Sequence, residues 1–382
     1  MKLMVVGTRG FPDVQGGIER HCERLYPRLV QRGCEVTVLV RTPYIPSAKR
    51  MKEWQGVRFI HVWSPHNKYL EAVIHTFFGI IIARLHSPDL LHIHAIGPSL
   101  LAPFARLMGL KVIMTHHGPD YQRKKWGCCA KFMLKLGEWM GVFCARRVIV
   151  VSQSVREYLI ERFKRYNLVF IPNGVDAVTG EPGISFLHTF KLKPQKYVLA
   201  VGRFVPEKGL HDLIAAYDRL APCTSKLVIV GGADHKTRYS RQLKTMANKN
   251  PDIILTGILH HEDLYCLYNN AQVFVLPSYY EGLPLALLEA LSYGCQVIAS
   301  NIPATREIPL NTDAYFQAGD IDALTMKIQK ALDISFTPEQ RAYYKNLVKK
   351  TYNWDRIADK TYALLKNRRK YILNTKTQMP IE

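Results

Sequence analysis

Short β-branched runs alternate with amphipathic stretches along this chain, and the alternation occurs in two series separated by a break rich in proline and glycine. KLMVVG (2–7), EVTVLV (35–40), LLHIH (90–94), KVIMTH (111–116) and RVIVVS (147–152) read as strands. Helical periodicity fills the spaces between them. GIERHCERLYPRLVQRG (17–33) puts Ile18, Cys22, Leu25 and Leu29 on one helix face, with Pro27 placed to kink it. Strands joined through helical crossovers lie parallel in one sheet. The rhythm restarts at YVLAVG (197–202), then KLVIVGG (226–232), DIILTG (252–257), VFVLPS (273–278) and QVIAS (296–300). IPNGVDAVTGEPGISF (171–186) has no clear period and suits a linker. The predicted fold class is α/β: two facing Rossmann-like domains with parallel sheets and an interdomain cleft, residues 1–172 and 173–382. The last helix, about 353–372, is placed to pack back on the first domain. With 382 residues, 48% of them hydrophobic, the chain can fill two cores.

Charge narrows the partners without choosing one. The net charge is +21, and residues 1–180 hold 26 Lys/Arg against 12 Asp/Glu. A nucleic acid, an anionic membrane leaflet and a phosphorylated substrate all fit such a balance. The eight cysteines form no pair of C-x2-C motifs and no Cys/His set with zinc spacing, so they read as reduced thiols of a cytosolic protein. The most apolar window, YLEAVIHTFFGIIIARL (69–85), contains Glu71 and His75 and falls short of a membrane span. A soluble protein is expected.

Candidate functional residues gather where strands end. GTRGFPDVQGGIER follows the first strand, and Gly16 and Gly17 immediately precede a helix, where backbone N–H groups can approach a phosphate or a sugar. Neither G-x-G-x-x-G nor a P-loop is complete. His116-His117-Gly118 stands at another strand end. His92 and His94 share one strand face; no third metal ligand at suitable spacing is visible, so they read as structural. In VGRFVPEKG (201–209), Arg203 and Lys208 suit a diphosphate, one as a fork donor and the other as a point cation. SYYEGLPLALLEALSYG (278–294) places Glu281 in a loop and Glu289 on a helix that Pro284 begins. The backbone N–H groups of Leu285 and Ala286 then face a phosphate, and the two acids suit the hydroxyl-rich ends of a nucleotide sugar.

With these residues in view, the chain resembles the retaining glycosyltransferases of family four, which have the GT-B architecture. E-G-L-P-x4-E (281–289) is similar to that family's E-x7-E signature, and G-R-F-V-P-E-K-G (202–209) to its phosphate-binding segment. P-N-G-V-D (172–176), L-P-S-x2-E-G (276–282), T-H-H-G (115–118) and G-G-I-E (16–19) extend the likeness over nearly the whole chain. The resemblance implies an N-terminal acceptor domain and a C-terminal nucleotide-sugar domain. It implies that Arg203 and Lys208 neutralise the donor diphosphate, assisted by N–H groups of Leu285, Ala286 and the Gly16-Gly17 loop. Glu289 would bind the ribose, Glu281 the transferred sugar, and Ile258 would meet the base. His116, ahead of His117, would lie near sugar and acceptor. One departure is Pro284, which offers no N–H where many members carry glycine. The donor is expected to be a nucleotide sugar, UDP-linked, with no metal or other cofactor. Asp320-Ile321-Asp322 reads as a helix cap at Asp320 rather than a metal motif. The acceptor would be a glycan or polyprenyl-diphosphate-linked saccharide of surface polysaccharide synthesis.

YQRKKWGCCAKFMLKLGEWMGVFCARR (121–147) mixes lysines and arginines with Trp126, Phe132 and Trp139. It therefore suits a helix lying on an anionic inner membrane face. No nucleic-acid docking motif is present. The rival readings are a nucleotide-sugar 2-epimerase or hydrolase of the same fold, and a non-catalytic basic membrane-associated protein that binds nucleotide sugar.

Overall fold

The computed structural model describes residues 1–367 apart from 48–49, 68–69, 123–125, 177–182, 223, 234–236 and 260. Cys223, the basic Arg123, Lys124 and Lys125, the middle of the predicted linker and residues 368–372 of the predicted last helix lie outside the described residues. The seven described cysteines are free thiols.

The first lobe is an eight-stranded sheet. Its strands are β1 (Lys2–Val6), β2 (Glu35–Arg41), β3 (Glu53–Trp54), β4 (Val57–Val62), β5 (Leu90–His94), β6 (Val112–His116), β7 (Arg147–Val150) and β8 (Leu168–Phe170), in the order β3-β4-β2-β1-β5-β6-β7-β8. All neighbours are parallel except the β3–β4 hairpin. The second lobe is a six-stranded parallel sheet of β9 (Tyr197–Val201), β10 (Lys226–Val230), β11 (Ile253–Gly257), β12 (Val273–Leu276), β13 (Gln296–Ser300) and β14 (Tyr315–Phe316), in the order β11-β10-β9-β12-β13-β14. Leu3, Val5 and Val6 of β1 and Phe274 and Val275 of β12 are fully buried. Apolar layers cover both faces of each sheet, which is why these strands read as continuous apolar runs rather than alternating ones.

Each sheet reverses its strand order once, beside β1 and β5 in the first and beside β9 and β12 in the second. Such switch points open a crevice beyond the carboxyl ends of the strands. The segments that follow β1, β9 and β12 carry Gly16, Gly17, Arg203, Lys208, Glu281, Leu285, Ala286 and Glu289, whereas Ile258 follows β11 and His116 ends β6.

Several contacts hold the lobes together. The C-terminal helix Trp354–Lys366 lies on the helix Gly17–Gln31 of the first lobe, and Trp354, Ile357, Ala358, Leu364 and Leu365 join that lobe's core. An arginine ladder on Gly17–Gln31 supports the contact. Arg24 and Arg28 pair with Asp176, Arg28 also pairs with Asp355, and Arg32 with Asp359. Their spacing of four puts them on one helix face. Elsewhere between the lobes, Glu307 of the second lobe accepts hydrogen bonds from the backbone N–H groups of Gln153 and Ser154, both 2.7 Å, at the N-terminus of the helix Gln153–Phe163. A carboxylate is well placed there, because the helix dipole and unpaired N–H groups favour negative charge.

Candidate active site

Both switch points open into one interlobe cavity of about 1230 Å³. That exceeds the ~300–1,000 Å³ of ordinary small-molecule pockets and leaves room for two reactants. Gly16, Gly17, Arg203, Lys208, Ile258, Glu281, Leu285, Ala286 and Glu289 all line it.

The second lobe supplies the charged wall. β9 ends at Val201, Gly202 and Arg203 follow, and a short 3-10 turn over Pro206–Lys208 aims Lys208 back across the crevice. Gly209 closes that turn with φ +62°, and a side chain there would collide with the carbonyl oxygen of Pro277. Only glycine lets the β9 and β12 loops approach this closely. Lys208 Nζ donates to Glu281 Oε1 at 2.5 Å, and Ser278 Oγ donates to the same oxygen at 2.7 Å. Cation and acid are thus fixed side by side.

The helix Leu285–Ser292 opens toward the cavity with Leu285 and Ala286. Pro284 is not its first helical residue. It sits before the helix in an extended conformation, and its carbonyl accepts from the N–H groups of Leu287 and Leu288. One turn on, Glu289 Oε2 accepts from Tyr268 Oη at 3.0 Å, and Oε1 lies 3.8 Å from Arg20 Nε of the first lobe. Burial pushes the Glu289 carboxyl up, and Arg20 pulls against that shift. Arg20 also donates to Tyr265 Oη at 2.7 Å, so one guanidinium spans the cleft. The sequence reading missed Arg20. Its only signal was its place directly after the G-G-I-E loop.

Of the two adjacent histidines, the cavity receives His117 and not His116. This reverses the order expected from the sequence. His116 is the last residue of β6, fully buried; its Nδ1 accepts from the Gly118 N–H at 3.1 Å. Its Nε2 therefore donates, to Glu138 Oε1 at 2.9 Å. Tyr121 and Arg162 bind the same carboxylate, each at 3.1 Å. The ring is a bracket beneath the loop. His117, one residue beyond the strand, turns to the cleft.

His117 also belongs to a larger set. Its Nε2 meets His94 Nδ1 at 2.9 Å; His94 Nε2 meets Tyr26 Oη at 2.5 Å; Tyr26 Oη meets His92 Nδ1 at 3.1 Å; and His92 Nε2 meets Thr115 Oγ1 at 2.7 Å. His21, on the helix Gly17–Gln31, presents Nδ1 to Asn173 Oδ1 at 2.7 Å. Burial lowers His21 to about 4 and His92 to about 3, and lowers His94 and His117 as well. The imidazoles are therefore neutral near pH 7. His92 and His94 do share a face, and two further imidazoles, His21 and His117, lie close to His94; they come from elements too distant in sequence for spacing to reveal. Asp320 accepts from the Ala323 N–H at 2.9 Å as a helix cap, in keeping with its sequence reading.

Two family models account for most of the chain. "Glycosyltransferase Family 4" matches residues 15–178 and "Glycosyl transferases group 1" matches residues 188–354. An uncharacterized glycosyltransferase of Methanocaldococcus jannaschii is 24% identical over 96% of this chain and 98% of its own. The UDP-Gal:alpha-D-GlcNAc-diphosphoundecaprenol alpha-1,3-galactosyltransferase of Escherichia coli is 30% identical over 64% of this chain and 66% of its own. Among solved structures, sucrose-phosphate synthase from Thermosynechococcus elongatus superposes with a TM-score of 0.81 at 21% identity, covering 95% of this chain and 98% of that one.

Proposed function

The chain belongs to the family-4 glycosyltransferases of the GT-B fold, and from that premise we propose that it transfers a hexose or N-acetylhexosamine from a UDP-sugar, with retention, to a glycan or lipid-linked saccharide of surface polysaccharide synthesis. One observation carries the reading: Arg203, Lys208 and the head of the helix Leu285–Ser292 share a cavity with Glu281 and Glu289. Cations and helix N–H groups suit a diphosphate, and the acids to either side suit hydroxyls. Lys208 and Arg203 stabilise charge on the departing diphosphate without a metal. Glu289, held by Tyr268, accepts from the ribose, and Ile258 lies against the base. Glu281 orients the transferred sugar, and His117 from the facing lobe stands on the acceptor side. The named substrates of the galactosyltransferase relative support a UDP donor and a diphospholipid-linked acceptor.

The test is a panel of nucleotide sugars screened by thermal shift, followed by transfer assays with the stabilising donor. A bound donor raises the unfolding midpoint because it binds the native state alone. Transfer to an added saccharide, lost in Glu281→Gln, is the expected result. Epimerised or hydrolysed donor without acceptor, or biological activity unchanged in Glu281→Gln, would instead identify a different protein.

The two histidines separate cleanly. His117→Ala is expected to lower kcat by about 10²-fold, with the unfolding midpoint of the chelator-treated protein near wild type. His116→Ala removes a buried partner of Glu138 and is expected to cost about 2–3 kcal/mol of stability, read by urea unfolding.

The same reading extends to the membrane face. Among the described residues no helix is long and apolar enough to cross a membrane. The helix Cys128–Cys144 exposes Phe132, Trp139 and Phe143, and the helix Glu71–His86 exposes Phe77, Phe78 and Leu85. Phe77 stacks on Phe104 at 5.3 Å, linking the patch to the next helix. Lys131 and Lys135 lie on the first of these helices. Aromatic and basic residues together suit an anionic bilayer surface. The triple variant Lys131→Glu, Lys135→Glu, Trp139→Asp is expected to weaken sedimentation with phosphatidylglycerol vesicles at least about tenfold, each lysine contributing about 1 kcal/mol.

A further inference from the structure

We propose that His21, His94 and His117 form a binding site for one divalent transition-metal ion of the zinc class, on the first lobe's wall of the cleft. One ring nitrogen from each of the three lies within 4.8 Å of the others. Three imidazoles on a tetrahedral ion at 2.0–2.1 Å hold their nitrogens about 3.3 Å apart. The pair His94 Nδ1 and His117 Nε2, at 2.9 Å, already lies just inside that value. Small side-chain rotations complete the set.

The strongest observation is His21 Nε2. The residue is 3% exposed, Nδ1 is committed to Asn173 Oδ1, and Nε2 is buried with no hydrogen-bond partner. A proton on Nδ1 for Asn173 leaves a bare lone pair on Nε2, and a buried acceptor without a donor is costly. Packing alone explains the ring positions: His21 lies edge-on to His94, His117 and Trp354. It does not satisfy the lone pair, and a metal ion does.

The outer nitrogens are arranged as metal-bound histidines require. A ligating imidazole carries its proton on the other nitrogen and gives it to a fixed acceptor. Asn173 Oδ1 serves His21, and Tyr26 Oη serves His94. Coordination places the His117 proton on its Nδ1, so no net proton is released. His117 is half-buried and lines the cavity, so the fourth coordination position opens into the cleft. Three neutral nitrogen donors without a carboxylate favour zinc, cobalt, nickel or copper over the oxygen-seeking magnesium and calcium. The site is on the lobe opposite Arg203 and Lys208. It ties the helix Gly17–Gln31 to the ends of β5 and β6 and fixes the His117 ring.

The test uses the full chain, stripped by a chelator and dialysed. Titration with Co²⁺ should give one equivalent and the intense visible band of a four- or five-coordinate site, and Zn²⁺ should abolish that band. His21→Gln should weaken Co²⁺ binding more than 100-fold, with circular dichroism confirming the fold. Asn173→Ala, which removes only the partner of the His21 proton, should weaken it by about 10–100-fold. No stoichiometric band in the wild-type protein, or a band unchanged in His21→Gln, would overturn the proposal. The wild-type titration decides even if a variant fails to fold.

Discussion

Lys208→Ala should lower kcat/KM for sugar transfer by about 10²–10³-fold, the range seen when one preorganised charge partner is removed from an active site. The lysine neutralises the diphosphate and also holds Glu281, at 2.5 Å. Its loss leaves a carboxylate with a side-chain exposure of only 10% facing an anionic substrate, so donor affinity falls together with turnover. Glu281→Gln in the Lys208→Ala background should therefore recover part of the donor affinity and none of the turnover. The two substitutions share a partner, and their effects will not add. Donor calorimetry and single-turnover kinetics separate the two quantities. Wild-type transfer by Lys208→Ala would remove this side chain from the site.

Gly282→Ala should reduce kcat by about 10²-fold or more while leaving donor affinity and the unfolding midpoint close to wild type. The glycine follows Glu281, and its Cα faces the other lobe. An added methyl group would collide with the His117 carbonyl oxygen, and one on Gly118 with the hydroxyl of Tyr280. The two loops meet backbone to backbone. Each lobe keeps its own core in the variant, so stability and donor binding to the second lobe persist. Closure falls short by on the order of 1 Å, enough to misplace reacting groups. A variant that loses donor binding, or one that transfers normally, would contradict this account of the contact.

The two sheets were legible because parallel strands buried on both faces leave apolar runs that periodicity cannot hide. The two-residue β3, the three-residue β8 and the two-residue β14 lie at sheet edges and carry too few residues to stand out. The cavity wall was legible from Arg203, Lys208, Glu281 and Glu289, whose local spacing sets their geometry. His116 and His117 could not be ordered from sequence. Which ring enters the cleft depends on where the β6 ladder ends, and one residue of strand length turns a side chain to the opposite face. Arg20 and His21 were harder still. Their partners are Glu289 and Tyr265 for the first and His94, His117 and Asn173 for the second, and only the folded chain brings these together.

The return of the C-terminal helix to the first lobe means that the chain passes between the lobes twice. The two passages lie side by side: Val175 bridges Asn353 in parallel, and the Val175 N–H donates to the Tyr352 carbonyl at 2.8 Å. A single passage would be a tether, leaving one lobe to swing in any direction. Two bonded passages restrict the relative motion of the lobes more than one would. The same paired connection therefore helps to hold Gly282 against the His117 backbone.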